Sequence, residues 1–198
     1  MAVGDERYRT AIVAIDAANA EDPATVSFEG RERPKEQLHA ELMTAWVHRL
    51  DPGAEEAQLL AARAHHLRRW VLPRDEYPEG RAGYLRWRTE LKRRHAAEVG
   101  AILADHGYEP EVIDRVGAII RKEGLGTDPA VGVHEDALCL VFLQTQLDDV
   151  AARLGPDKTV DVLVKSIRKM TDQGRQAALG LSYTAASRSL VEAALAAI

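Results

Sequence analysis

The segment AARAHHLRRW, residues 61–70, sets two adjacent histidines in an alanine- and leucine-rich stretch and follows them with two arginines and a tryptophan. Three chemistries fit it: a core helix that carries histidine, a metal ligand on a helix, or a cationic lip for an anion. Residues three or four apart share a helix face. On a helix through this segment Leu59, Arg63, His66 and Trp70 form one line beside Leu60, Ala64, Leu67 and Val71. His66 falls in the apolar stripe and His65 at its edge, so His66 is the candidate ligand. Farther on, His95 and Glu98 share a face with Leu91, Val99 and Ile102, and Asp136 begins a line through Leu140, Leu143, Leu147 and Val150.

Each of these groups also has a purely structural account. An inward histidine is commonly a hydrogen-bonded core residue, and an acid in the first turn of a helix caps its unpaired N–H groups. Together they ask for more, because a histidine or aspartate buried without a partner is costly and a shared cation would satisfy all three. Imidazole and carboxylate ligands on facing helices suit zinc, manganese, iron or nickel. The expected cofactor is therefore a divalent transition metal held by His66, His95 and Asp136, with Glu98, Glu135 and His39 as candidates for a fourth position. His39 shares its face with Met43 and Trp46, whereas His106 and His134 lie near expected helix ends, where exposure is anticipated.

Cations gather around the same positions. Arg69 is one helical turn from His66, while Arg88 and Lys92 precede His95 by about two turns and one turn. They are the candidate substrate-binding residues, since an arginine fork grips a phosphate or carboxylate in two places; solvated helix faces would look the same. Glu98 and Glu135 are the candidate catalytic bases, taking a proton from a water whose pKa a metal lowers toward about 7. Trp70, Tyr77, Tyr84 and Trp87 lie among the arginines, where they could stack on a ring or pack beneath the crossing between Pro73 and Pro78.

The elements that must position these groups are helical. Apolar residues recur at helical spacing and nothing alternates at period two for long enough to make a sheet. A first helix carrying Tyr8, Ile12, Val13 and Ile15 ends near ANAEDP, and TVSFEGRERP reads as a loop. A second starts at Pro34 and ends at DPG, a third spans about Ala54 to Leu72, and a fourth, carrying Leu85 and Leu91, runs from about Arg81 to His106. A fifth covers 110–123, GLGTDPAVG is a loop, and a sixth, the central one, runs from about His134 to Leu154. Shorter helices follow. The fold class is all-α: one helical bundle of about seven to nine helices over 1–198, with a core at about 36–154 and the helices of 156–198 packing on it.

Composition narrows the class. The chain has 198 residues, 46% hydrophobic and 29% charged, which suits a globular domain and not a disordered one. The formal net charge of −5 removes any general attraction to nucleic acid, so none is expected as a partner. No membrane partner is expected either, because no apolar run approaches the roughly 20 residues that cross a bilayer. The opening MAVGDERYRT lacks a signal-peptide core, giving a cytoplasmic expectation. Cys139, the single cysteine, sits in ALCLVFL as a small apolar residue. Neither GxxxxGK[ST] nor GxGxxG nor GxSxG occurs.

The succession of His66, His95 and Asp136 on separate helices resembles the HD superfamily of metal-dependent phosphohydrolases, over about residues 60–145. The text IIRKEGLGTDPAVGVHEDALCLVFL is similar to that superfamily's last section, which leads into the helix bearing its final aspartate. The residue after His95 is Ala96, so the His-Asp doublet is absent there and cannot bridge two metals. At closer range the chain resembles a bacterial family termed domain of unknown function 4202, whose members are sometimes labelled glutamyl-tRNA synthetase. The matching text is ANAEDP at 18–23, AARAHHLRRW, YPEGRAGYLRWR at 77–88, KRRHA at 92–96 and EDALCLVFL at 135–143. The synthetase label fails, since no HIGH-like or KMSK-like motif is present.

These observations lead to a metal-dependent hydrolase of a phosphorylated or other anionic small molecule, a nucleotide among the candidates. The alternatives are a non-enzymatic helical binding module, with homodimerisation a candidate assembly, and an iron-dependent oxygenase of the HD type.

Overall fold

A computed structural model describes residues 6–198, so the first five residues of the amino-terminal segment lie outside the described residues. Helix α1 spans Glu6–Ala20 and is followed by strands β1, Thr25–Phe28, and β2, Arg31–Pro34. Then come α2 (Lys35–Leu50), α3 (Glu56–Arg63), two single 3-10 turns at Arg69–Val71 and Arg74–Glu76, α4 (Gly80–Asp105) and α5 (Pro110–Arg121). The remainder is α6 (Pro129–Thr145), α7 (Leu147–Leu154), α8 (Pro156–Ile167), α9 (Asp172–Leu179) and α10 (Ala185–Ala196). The chain is all-α apart from one small sheet, and no helix among the described residues is long and apolar enough to cross a membrane.

Two apolar cores share α3. Leu59 and Ala62 on one side join Met43, Trp46, Leu140, Leu163 and Ile167 from α2, α6 and α8. Leu60 and Ala61 on the other join Ile15, Val99, Leu103, Val116 and Ile119 from α1, α4 and α5. A helix with apolar residues all round is a buried one, and AEEAQLLAAR is such a helix. Val13 and Leu85, by contrast, face solvent at 66% and 51% exposure, so the stripes of α1 and α4 are narrower than their apolar residues suggest.

Three expectations are corrected. TVSFEGRERP is a β-hairpin: Thr25 pairs with Pro34 and Phe28 with Arg31, around Glu29 and Gly30, both at positive φ as a two-residue hairpin turn requires. Its four-residue strands are too short for alternation to register. The third helix ends at Arg63 and not near Leu72: Ala64 closes it, the chain continues through turns, and Arg68 takes a left-handed conformation, φ 48°, ψ 40°. No glycine marks this turn. The Asn19 Oδ1 accepts the Arg68 N–H there at 3.2 Å. The sixth helix begins at Pro129, inside the expected loop, capped by the Asp128 carboxylate on the Ala130 N–H, and it breaks at Gln146. With these changes there are ten α-helices among the described residues, against the seven to nine expected.

The α6 and α9 helices meet closely beside the Asp136 carboxylate. Asp136 accepts the Thr171 N–H at 2.9 Å on one oxygen and the Thr171 hydroxyl at 2.5 Å on the other. A Cβ at Gly174 would lie 2.3 Å from Asp136 Cγ. Gly174→Ala should therefore lower stability by about 1–3 kcal/mol through overpacking, although alanine gains roughly 1 kcal/mol in helix propensity. Urea unfolding measures this, and an unchanged or raised midpoint would contradict the packing described.

Candidate metal centre

The bend after α3 decides where the histidines go. Because α3 stops at Arg63, His65 and His66 leave the helix geometry and both turn inward, His65 only 5% exposed. The ANAEDP segment holds the bend. Asn19 satisfies the Arg68 N–H, Glu21 pairs with Arg68 at 3.0 Å, and Asp22 accepts the Glu36 N–H at 2.9 Å at the start of α2. Asp16, on α1, grips Arg63 through two bonds of 2.5 and 2.6 Å.

Five of the seven histidines meet here. The His39 ring, from α2, stacks on His66 with centroids 4.0 Å apart, and His65 lies 4.6 Å from His66. His134, from α6, meets His65 edge-on at 4.7 Å, and His95, from α4, lies 6.1 Å from His66. One ligand atom each from His39, His65 and His66 fall within 4.8 Å of one another. Burial is the main cause that lowers every imidazole from its usual value, His39 and His134 to about 3, His95 to about 4, and His65 and His66 well below normal. Neighbouring Lys122 and Arg69 push the same way. At neutral pH the five rings are uncharged, each with one N–H and one lone pair.

The hydrogen bonds say which lone pairs are free. His95 Nδ1 lies 2.8 Å from the Leu67 carbonyl, which can only accept, so the proton is on Nδ1 and the buried, unpartnered Nε2 carries the lone pair. This is the arrangement that orients a metal-binding imidazole. His39 Nε2 is likewise buried with no partner. His66 Nδ1 is 3.0 Å from Glu36 Oε2, and its Nε2 accepts from Arg69 at 3.0 Å. His65 Nδ1 lies 2.7 Å from His134 Nε2, leaving His65 Nε2 as the nitrogen open to a ligand when His134 is the acceptor.

Two cavities meet at His66 and Arg69. One, of about 130 Å³, is lined by His39, Glu36 and Lys35 together with apolar residues of α2 and α6 and by Val26 of the hairpin. The other, of about 20 Å³, is bounded by His65, His95, Arg88, Lys92 and Lys122. No hydrogen bond or ion pair joins Arg88 to another described residue. Lys92 donates to the Arg121 carbonyl at 3.2 Å, and burial lowers the pKa of Lys92, Lys122 and Arg69. The second cavity thus has four cations on its wall.

The structure brings together His66, His95, Arg69, Arg88 and Lys92, with His39 beside them. It does not bring Asp136, whose two oxygens are both turned to Thr171 at the start of α9. Glu98 pairs with Arg94 along α4. Glu135 is buried in an ion pair with Lys122, with Lys169 3.7 Å away. Burial alone would raise the Glu135 carboxyl, but Lys122, Lys169 and Arg88 outweigh it and hold the pKa below normal. His134, expected to be exposed, is 1% exposed in the second turn of α6, because that helix starts five residues earlier than expected. His106 is half-buried at the end of α4, bonded to the Ile102 carbonyl.

Three members of the site besides His134 were not singled out from the sequence. His65 was placed at a stripe edge by a helix that does not continue, and Lys122 enters through a left-handed residue at the end of α5, φ 62°. Glu36, 6% exposed, is driven to a pKa of about 7 chiefly by burial, with Arg69 and Lys35 opposing and Asp22 adding to the rise. Its signal in the sequence was an acid three residues before His39, one turn away on the same helix.

Residues 9–191 match the model of a protein family described as Domain of unknown function (DUF4202). Comparison with curated proteins and with solved structures gives no match.

Stability should follow the imidazoles. Their folded pKa values lie below the unfolded 6.5, so their contribution is present above pH 6.5 and is lost as pH falls toward 3–4. Glu36, raised from 4.5 to about 7, works oppositely: its contribution is present below pH 4.5 and is lost as pH rises to 7. Between pH 6.5 and 4.5 five groups oppose one, so unfolding free energy should fall on acidification by more than the roughly 1.4 kcal/mol per pH unit that one proton gives. Denaturant titrations across this range test it. A flat profile would mean that the rings ionise in place.

Proposed function

We propose that this chain, which belongs to the DUF4202 family, is a metal-dependent hydrolase of an anionic small molecule, with an HD-like helical core and a site built on imidazoles. The observation that carries the reading is the coincidence of a neutral imidazole cluster, with unpartnered His39 Nε2 and His95 Nε2, and a cation-lined cavity that shares its wall.

His39, His65 and His66 are the residues that would hold the ion, with His95 adjacent as a fourth imidazole. An all-imidazole set suits zinc, iron or nickel; manganese prefers oxygen donors, and Asp136 is engaged elsewhere. A divalent ion here supplies Lewis acidity, drawing the pKa of a water down toward about 7. For His66 Nε2 to serve as a ligand, Arg69 must release it. The freed guanidinium already borders both cavities and can turn to a substrate oxygen. Arg88, without a protein partner, and Lys92 supply further donors to the oxyanion. Lys122 adds positive charge from its pair with Glu135.

Glu36 replaces Glu98 and Glu135 as the proposed acid and base. It borders the larger cavity beside His39, and a carboxyl titrating near 7 can take a proton from water and return it to a leaving group. Glu135 remains an anion whose work is to hold Lys122.

Full-length protein purified without a histidine tag should carry about one equivalent of transition metal and release phosphate from p-nitrophenyl phosphate. His65→Ala should lose the metal. His134→Ala should weaken its binding roughly 10–100-fold by removing the partner that fixes the His65 ring, with His134→Gln retaining part of it. Glu36→Gln should keep the metal and lower kcat about 10²–10⁴-fold, removing the pH-rate limb near 7. Absence of metal from the purified protein, together with no thermal shift on adding zinc, iron or nickel, would instead favour a binding module.

A further inference from the structure

The two cavities differ in a way that limits the organic part of the substrate. The smaller, about 20 Å³ and walled by cations, holds little more than one water-sized group. The larger, about 130 Å³, is lined by the polar groups of Lys35, Glu36, His39, His66 and Arg69. Val26, Leu38, Leu42 and Val141, with Thr145 and Gln146, complete its wall. At one water per 10–15 Å³ of such volume this space, which is partly open to solvent, covers about ten non-hydrogen atoms of a ligand. A phosphate ester of a three- or four-carbon alcohol has about that number, and a nucleoside monophosphate more than twice as many.

The lining agrees with the size. No aromatic side chain other than the imidazoles themselves borders either cavity, so a nucleobase has no ring to stack on. Trp87 lies under the Arg69 guanidinium at 5.1 Å and donates to the Leu72 carbonyl, Trp46 donates to Gln144, and Trp70 lines neither cavity. Apart from the charged groups and imidazoles, the lining offers aliphatic surface with one hydroxyl and one carboxamide, Thr145 and Gln146.

We infer that the substrate is a phosphate monoester of a short aliphatic or hydroxylated alcohol and not a nucleotide, its carbon chain lying in the cavity between α2, α6 and the hairpin. This rests on the hydrolase reading and deepens it. In the reaction a water oxygen bonds to phosphorus, the ester P–O bond breaks, and the alcohol leaves with the proton that Glu36 took from the water. The hairpin at 25–34 then has a use: through Val26 it contributes to the chamber wall.

The test compares glycerol phosphate with adenosine monophosphate on metal-loaded full-length protein. It follows phosphate release and, in a separate measurement, the rise in thermal unfolding temperature that each ester and inorganic phosphate produce. Glycerol phosphate should exceed the nucleotide in kcat/KM by roughly tenfold or more. Leu42→Ala, which enlarges the chamber, should narrow that ratio to about threefold or less, and Val26→Ala on the hairpin gives the same readout if the helix variant is unstable. Equal or better hydrolysis of adenosine monophosphate by the unaltered protein would overturn the inference and leave the hydrolase reading standing. If inorganic phosphate and glycerol phosphate stabilise the protein and the nucleotide does not, yet nothing is hydrolysed, the size limit holds and the hydrolase reading falls. Stabilisation by none of the three would overturn both.

Discussion

An imidazole can be taken out of water cheaply only if it is uncharged and at least one of its nitrogens is bonded. Four of the five rings in this protein are stored that way. His95 donates its N–H to the Leu67 carbonyl, His65 and His134 share a hydrogen bond, and His66 lies between Glu36 and Arg69, while His39 is held by stacking on His66 with its Nε2 unpartnered. Every other feature of the site follows from keeping these rings dry and neutral. The surrounding cations raise the cost of protonation, and the burial that lowers the histidines is the same burial that lifts Glu36 toward neutrality. The result is a cluster of neutral bases beside a carboxyl that burial has pushed up to about 7.

The scaffold serves this by drawing on both cores. α2 and α6 belong to one and α4 to the other, while α3, packed against both, ends where the histidines must diverge from a helical path. The bend is held from outside by α1 and the segment after it. Asn19 and Asp22 look from the sequence like ordinary turn residues, yet one satisfies the left-handed Arg68 and the other anchors the first turn of α2. They touch no candidate ligand directly. Their effect is to place His66 against Glu36, each of which stands at the end of an element that they fix.

Asp136 shows how a sound local argument can choose the wrong partner. A buried carboxylate needs donors, and a cation shared with two histidines would supply them. The donors came instead from the backbone and hydroxyl of Thr171, thirty-five residues away, at a helix start that the sequence marked only by TDQG. Glu135, its neighbour, found Lys122 by the same rule. For Asp136 burial was correctly anticipated and its compensation was not, and for Glu135 the partner was likewise missed, because compensation depends on which elements pack together.

Helical class, the main helix positions, the buried character of His66, His95 and Asp136, and the cationic surroundings at Arg69, Arg88 and Lys92 were set by local periodicity and composition, which act over a few residues and can be read there. The membership in a family rested on stretches such as AARAHHLRRW and YPEGRAGYLRWR, which are long enough to be distinctive. What only the tertiary structure decided was convergence. The hairpin formed by pairing of two four-residue strands beside α2, the chain after α3 turned where Asn19 reaches Arg68, and His65, His134 and Glu36 entered the site as α6 began early and α2 faced it. Such contacts join residues dozens of positions apart, and the spacing of residue types along a chain carries no record of which distant group will satisfy a buried donor or acceptor.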